Sequence, residues 1–140
     1  MPENTLDKII KKKIEKIDLL KKSISFKLLN EKISEHKSYI NFKEKIQNNI
    51  NNKKISIIAE IKKASPSAGT IINEYNPIKI AEIYNKNKVT CLSILTEEDF
   101  FLGNLIHVSK VKEKINLPIL CKDFFIDKFQ VPLAKSYGAD

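Results

Sequence analysis

Near the start of the chain, apolar residues recur at steps of four, four and three: Leu6, Ile10, Ile14 and Ile17. That spacing aligns them along one face of a helix. Asn4 with Asp7 reads as the capping pair, and lysines are expected to fill the opposite face. A second, more polar helical segment is predicted from about Lys32 to Ile50, with Ile33, Ile40, Phe42 and Ile46 as its few anchors. Asn48, Asn49, Asn51 and Asn52 should then break the pattern, so a boundary is expected near residue 54.

Beyond that boundary the pattern changes. Residues 55–61 are a short, apolar, β-branched run, as expected of a strand buried on both faces, and residues 89–95 and 117–121 read as a second and third strand, Pro118 being tolerable near the strand start. Asn76-Pro77 opens a helix, with Asn as cap and Pro in the first turn, and Ile80, Ile83 and Tyr84 give it an apolar side. Leu105, Val108, Val111 and Ile115 space a second helix. Asp127 with Gln130 predicts a capping box for a third, which runs to Tyr137 and stops at Gly138. Pro132 should then kink that helix by removing a hydrogen bond. The order is βαβαβα, which implies parallel strands and right-handed crossovers. Gly138-Ala-Asp140 reads as a turn toward a fourth strand, and a closed parallel barrel needs eight strands and ~250 residues. The expectation is therefore the N-terminal part of a larger protein: a helical extension over 1–54, then the beginning of a βα barrel over 55–140.

Composition narrows the classes. A chain of 140 residues at 42% hydrophobic can build one core. No run reaches the ~18 apolar residues of a membrane span, and no apolar signal segment opens the chain. Two cysteines make no disulfide framework, so a soluble protein of the reducing cytoplasm is expected, with both thiols packed in the core. The net charge of +8 is uneven: residues 1–54 hold 14 lysines against 7 acids, and residues 55–140 hold 11 against 10. Every basic residue is lysine, whereas nucleic-acid readers favour the bidentate fork of arginine. The simplest reading of 1–54 is an amphipathic arm docked on the rest of the chain, with a membrane-surface helix or a polyanion-binding arm as alternatives.

Candidate chemistry lies at the strand ends, where parallel α/β folds place reacting groups. Strand period puts Glu60 and Lys62 on one face, either as a buried ion pair or as a lysine held by a carboxylate in a cleft. Lys122 and Phe124 repeat the arrangement at the end of the third strand. A lysine there is tunable toward proton donation by burial and neighbouring carboxylates. Between them, the acidic loop Thr96-Glu-Glu-Asp-Phe-Phe101 carries two phenyl rings. One is expected in the core, the other over the strand mouth as an apolar wall. His107 is expected on a helix surface.

Three segments carry a family resemblance. Residues 57–67 (Ile-Ile-Ala-Glu-Ile-Lys-Lys-Ala-Ser-Pro-Ser) with Gly69 resemble the first βα segment of indole-3-glycerol phosphate synthases. Residues 92–103 resemble their second and residues 117–124 their third; Gln130, Gly138-Ala-Asp140 and the opening Leu6-Asp-Lys-Ile-Ile10 are also similar. The resemblance implies a TIM (β/α)8 barrel with an N-terminal helical extension. The implied reaction converts 1-(2-carboxyphenylamino)-1-deoxyribulose 5-phosphate to indole-3-glycerol phosphate, CO2 and water in tryptophan biosynthesis, with no metal or organic cofactor. It further implies Lys122 as general acid, Lys62 as a contact to the anionic substrate and possible second proton donor, and Glu60 as the carboxylate pairing with both. Ser65 would contact the substrate carboxylate, and Phe101 and Phe124 would wall the anthranilate ring. The general base and phosphate site would lie beyond Asp140, so this chain alone is expected to be inactive, and the full-length protein monomeric. The alternatives are another phosphate-handling TIM-barrel enzyme and a non-catalytic basic binding fragment.

Overall fold

The computed structural model describes residues 4–36 and 38–140. Three helices come first: α1 (Thr5–Ser23), α2 (Phe26–Glu35) and α3 (Phe42–Asn51). They are followed by β1 (Ile58–Ile61), a small antiparallel ribbon of β2 (Ala64–Ser65) and β3 (Gly69–Thr70), α4 (Pro77–Lys86), β4 (Cys91–Leu95), α5 (Leu105–Lys112), β5 (Ile119–Lys122) and α6 (Gln130–Ser136). The three longer strands form a parallel sheet in the order β1-β4-β5. Each new strand is added beside the last, unlike a doubly wound sheet, where the strand order reverses at a switch point.

Register sorts the strand residues into two faces. The rows Ala59–Leu92–Ile119 and Ile61–Ile94–Cys121 share one core with Ala81 of α4, Val108 and Val111 of α5, and Ala134 of α6. The other face carries Ile58, Glu60, Ser93, Leu120 and Lys122 by strand alternation. Ile58 and Leu120 are 46% and 43% exposed, so β1 and β5 are covered on one face only, whereas the sequence of β1 suggests burial on both. A continuous apolar run does not distinguish a strand face under helices from a bare one.

The first helices correct the expected pattern. Leu6 and Ile14 are half exposed, and the buried stripe of α1 is Ile9, Lys13 and Ile17. The two stripes lie side by side and share Ile17, because steps of four drift about 40° around a helix. A lysine therefore lies on the docked face, where an ion pair meets it. The segment predicted from Lys32 to Ile50 divides into the end of α2, which stops at Glu35, and α3, which begins at Phe42. The asparagines do not end α3 early: Asn48, Asn49 and Asn51 are helical and Asn52 is the cap. Asparagine costs a helix only a fraction of a kcal/mol per residue (~0.7). The Asn49 amide also donates to Ser56 and to Thr90 Oγ1, tying α3 to the start of the sheet.

Helix α2 seats Leu29 with Ile17 against Phe129 and Leu133, and the Phe26 ring meets Phe129 edge-on at 5.6 Å. Further on, His36 Nε2 lies 3.0 Å from the Ser136 carbonyl oxygen, the Tyr39 hydroxyl donates to the Lys135 carbonyl, and Ile40 N donates to Asp140 Oδ1. The arm thus docks on the remainder of the chain. The predicted capping box forms, with Gln130 Oε1 accepting from Asp127 N–H and Asp127 Oδ1 from Phe129 N–H, but Asp127–Phe129 make a turn, so α6 starts at Gln130, two residues later than the box implies. Pro132 accordingly falls in the first turn, where no intrahelical donor is needed, so the expected loss of a hydrogen bond does not arise.

Candidate active site

At the carboxyl ends of β1 and β5, two lysines converge on one carboxylate. Lys62 Nζ lies 2.9 Å from Glu60 Oε1, and Lys122 Nζ lies 2.7 Å from Glu60 Oε2. The Lys122 side chain is 53% exposed and those of Lys62 and Glu60 about one-third, so this is an ion triad open to a cleft rather than a sealed structural pair. Partial burial pushes the Glu60 carboxyl upward, but the hydrogen bonds and charges of Lys122 and Lys62 outweigh it and hold its pKa below the ordinary value.

The cleft has a volume of about 230 Å³ and is bounded also by Leu95, Phe101, Asp123 and Phe124. The rings of Phe101 and Phe124 lie 6.1 Å apart at 44°. Two ammoniums beside paired phenyl rings suit an anion with an aromatic body: the rings offer an apolar wall, and the cations can meet a carboxylate or donate a proton.

Buried polar groups that the sequence did not single out fix the two loops bearing those rings. Glu97 is 1% exposed, and its carboxylate accepts the backbone N–H groups of Asp99, Phe100 and Phe101. The loop then passes through Leu102 in the left-handed region (φ 52°) to Gly103, whose N–H donates to the Glu97 carbonyl. A Cβ at Gly103 would stand 2.3 Å from the Leu95 carbonyl oxygen, which requires glycine there. On the second loop, Asp123 accepts from Phe124 N–H, the Thr96 hydroxyl and the Lys13 ammonium. Gln130 Nε2 donates to the Phe124 carbonyl. The sequence hint was an acidic run just after a mainly apolar strand, but nothing in its spacing says that Glu97 turns inward.

Of the sequence-predicted residues, Glu60, Lys62, Lys122, Phe101 and Phe124 come together. Ser65 does not line the cleft; its hydroxyl accepts from Ala68 N–H and meets Ser67 Oγ at 3.4 Å, in the turn that joins β2 to β3. His107 is half-buried on its helix rather than fully exposed: its ring packs 5.4 Å from that of Tyr75, its Nδ1 is buried, and burial lowers its pKa. Phe100 is half-buried rather than a core residue. Cys91 and Cys121 are buried free thiols, and burial raises both pKa values, that of Cys121 to about 11, which keeps them protonated and unreactive.

The family model for indole-3-glycerol phosphate synthase matches residues 6–140. The chain belongs to this family. The matched span takes in the whole triad and both ring-bearing loops of the cleft. Indole-3-glycerol phosphate synthase of Trichodesmium erythraeum is 36% identical over 139 residues, which cover 99% of this chain and 46% of that protein. That of Alkaliphilus metalliredigens is 40% identical over 135 residues, covering 96% and 51%. A "Tryptophan biosynthesis protein TrpCF" of Buchnera aphidicola subsp. Schizaphis graminum is 44% identical over 140 residues, covering 100% of this chain and 30% of its own length. The chain thus spans about half or less of the curated relatives it matches. Among the described residues, no helix is long and apolar enough to cross a membrane.

Proposed function

We propose that this chain supplies the first three βα units of an indole-3-glycerol phosphate synthase barrel, with residues 1–54 as its helical extension. The protein to which it belongs would convert 1-(2-carboxyphenylamino)-1-deoxyribulose 5-phosphate to indole-3-glycerol phosphate, CO2 and water. The observation that carries this reading is the convergence of Lys62 and Lys122 on Glu60 beside the Phe101–Phe124 wall. Sequential parallel strands with helices on one face and a half-bare opposite face support an arc of a singly wound barrel, whose further strands would cover Ile58 and Leu120.

In ring closure, Lys122 donates a proton to the ketone oxygen of the ribulose moiety as the aromatic carbon attacks the carbonyl carbon. Charge developing on that oxygen is neutralised while the new C–C bond forms. Loss of CO2 and then of water completes the indole. Glu60 positions both ammoniums at the cleft, Lys62 meets the substrate carboxylate, and the two rings stack the anthranilate body. Ser65 acts at one remove, by shaping the β2–β3 turn beside Lys62. The general base and the phosphate site come from later strands, as does the rest of the enclosure, and no cofactor is used.

The full-length gene product is expected to form indole-3-glycerol phosphate from this substrate with equimolar CO2, followed by indole fluorescence, whereas residues 1–140 alone give no turnover. Conversion of a different sugar phosphate, with none of this substrate consumed, would overturn the reading.

A further inference from the structure

The lysine excess of residues 1–54 has no part in the chemistry above, yet four lysines of α1 reach acids on the two loops that carry the aromatic wall. Lys13 Nζ lies 2.6 Å from Asp123 Oδ1, with both side chains about nine-tenths buried. Lys16 Nζ lies 2.6 Å from Glu98 Oε2 and 2.8 Å from Asp99 Oδ2. Lys12 stands 3.8 Å from Asp99, and Lys21 pairs with Asp127. Glu98 and Asp99 belong to the loop of Phe101; Asp123 and Asp127 belong to the loop of Phe124.

These contacts lead directly to the rings. Asp123 Oδ1, which receives Lys13, also accepts the Phe124 N–H at 2.7 Å. Asp99 and Phe101 both donate their N–H groups to the Glu97 carboxylate, so Lys16 grips a loop already folded around one buried acid. An apolar residue in the docked stripe at position 13 would avoid the desolvation cost of a buried ammonium; the lysine in its place fixes the direction of Asp123. Burial opposes the charge on Lys16, but Asp99 and Glu98 outweigh it and raise its pKa, consistent with a persistent pairing.

We infer that α1 is an electrostatic latch that positions the aromatic wall, Lys13 acting through Asp123 on Phe124 and Lys16 acting through Asp99 on the loop of Phe101. These are positioning residues. The inner pair is shielded from salt, while the outer pairs, one-third or more exposed at Lys16 and Glu98, are screened by it. The consequence for substrate binding rests on the synthase reading; the hold on the loops does not.

The test uses the full-length protein with Lys16→Glu, and a repaired variant that adds Glu98→Lys and Asp99→Lys. Lys16→Glu is expected to raise KM about threefold to tenfold with kcat little changed, and the repaired variant to restore it. Amide exchange over residues 97–103 should speed up in Lys16→Glu. It should also speed up in the unaltered protein between about 0.05 and 0.5 M salt, where the screening length falls to about 4 Å. Exchange in this loop that responds to neither the substitution nor salt would overturn the latch, as would a raised KM that charge repair leaves unrestored. If the unaltered protein turns nothing over while exchange responds as stated, the synthase reading fails and the latch stands.

Discussion

Replacing Lys122 with methionine in the full-length protein is expected to lower kcat for indole-3-glycerol phosphate formation by about 10²–10⁴-fold, the usual worth of a positioned general acid. Methionine keeps the apolar stem but removes the proton donor 2.7 Å from Glu60. The Lys122 side chain is more than half exposed, so its loss should cost the fold no more than about 1 kcal/mol. The fall in turnover is therefore separable from unfolding. Lys62→Met is the contrasting variant. It leaves the second ammonium on Glu60 in place and should act mainly on KM, through the lost contact to the substrate carboxylate. Rates and thermal midpoints measured together check this. A Lys122→Met protein with unchanged kcat would assign proton donation elsewhere.

Asp140→Asn carries the largest expected effect on stability. The Asp140 side chain is fully buried and takes four hydrogen bonds: two from the Lys112 ammonium at 2.6 and 2.8 Å, one from Ile119 N–H at 2.7 Å and one from Ile40 N–H at 2.6 Å. It therefore joins the arm before α3, helix α5 and the start of β5 through one carboxylate. Asparagine keeps the shape but leaves the buried Lys112 charge uncompensated and turns an NH2 toward a donor. Breaking a buried pair in this way costs about 3–5 kcal/mol. The urea midpoint of the full-length protein reads the loss, and Lys112→Met added to Asp140→Asn should recover part of it, because the stranded charge is then gone. A loss under about 1 kcal/mol would mean that water reaches the site and screens it.

The core elements were legible in the sequence because periodicity and capping agreed. Asn76-Pro77 starts α4 as expected, with the Asn76 side chain accepting from Ile78 and Lys79 N–H. Strand period alone placed Glu60 and Lys62 on one face, and the position of Lys122 at a strand end brought it to the same mouth. What remained hidden depended on distant partners. Ile10 and Ile9 lie on adjacent stripes of α1, and only Asp123, more than a hundred residues away, decides that Lys13 faces inward. Glu97 looks like any acid in an acidic loop until its carboxylate is seen to gather three backbone amides. Ser65 stands beside the site in sequence, yet the β2–β3 ribbon, which periodicity did not predict, turns its hydroxyl to the chain's own backbone.

The pKa of Glu60 tests most directly whether two ammoniums share this carboxylate. Its side-chain carboxyl carbon can be followed by NMR through an acid titration of the full-length protein. The expected midpoint lies below that of an ordinary glutamate, because the two lysines outweigh burial. The stability this grouping contributes is present above the unfolded-state pKa and is lost as pH falls through the lowered folded one. In the Lys62→Met, Lys122→Met double variant only burial remains, and the midpoint should rise above the ordinary value. A midpoint at or above the ordinary value in the unaltered protein, or one that the double substitution does not move, would contradict the account.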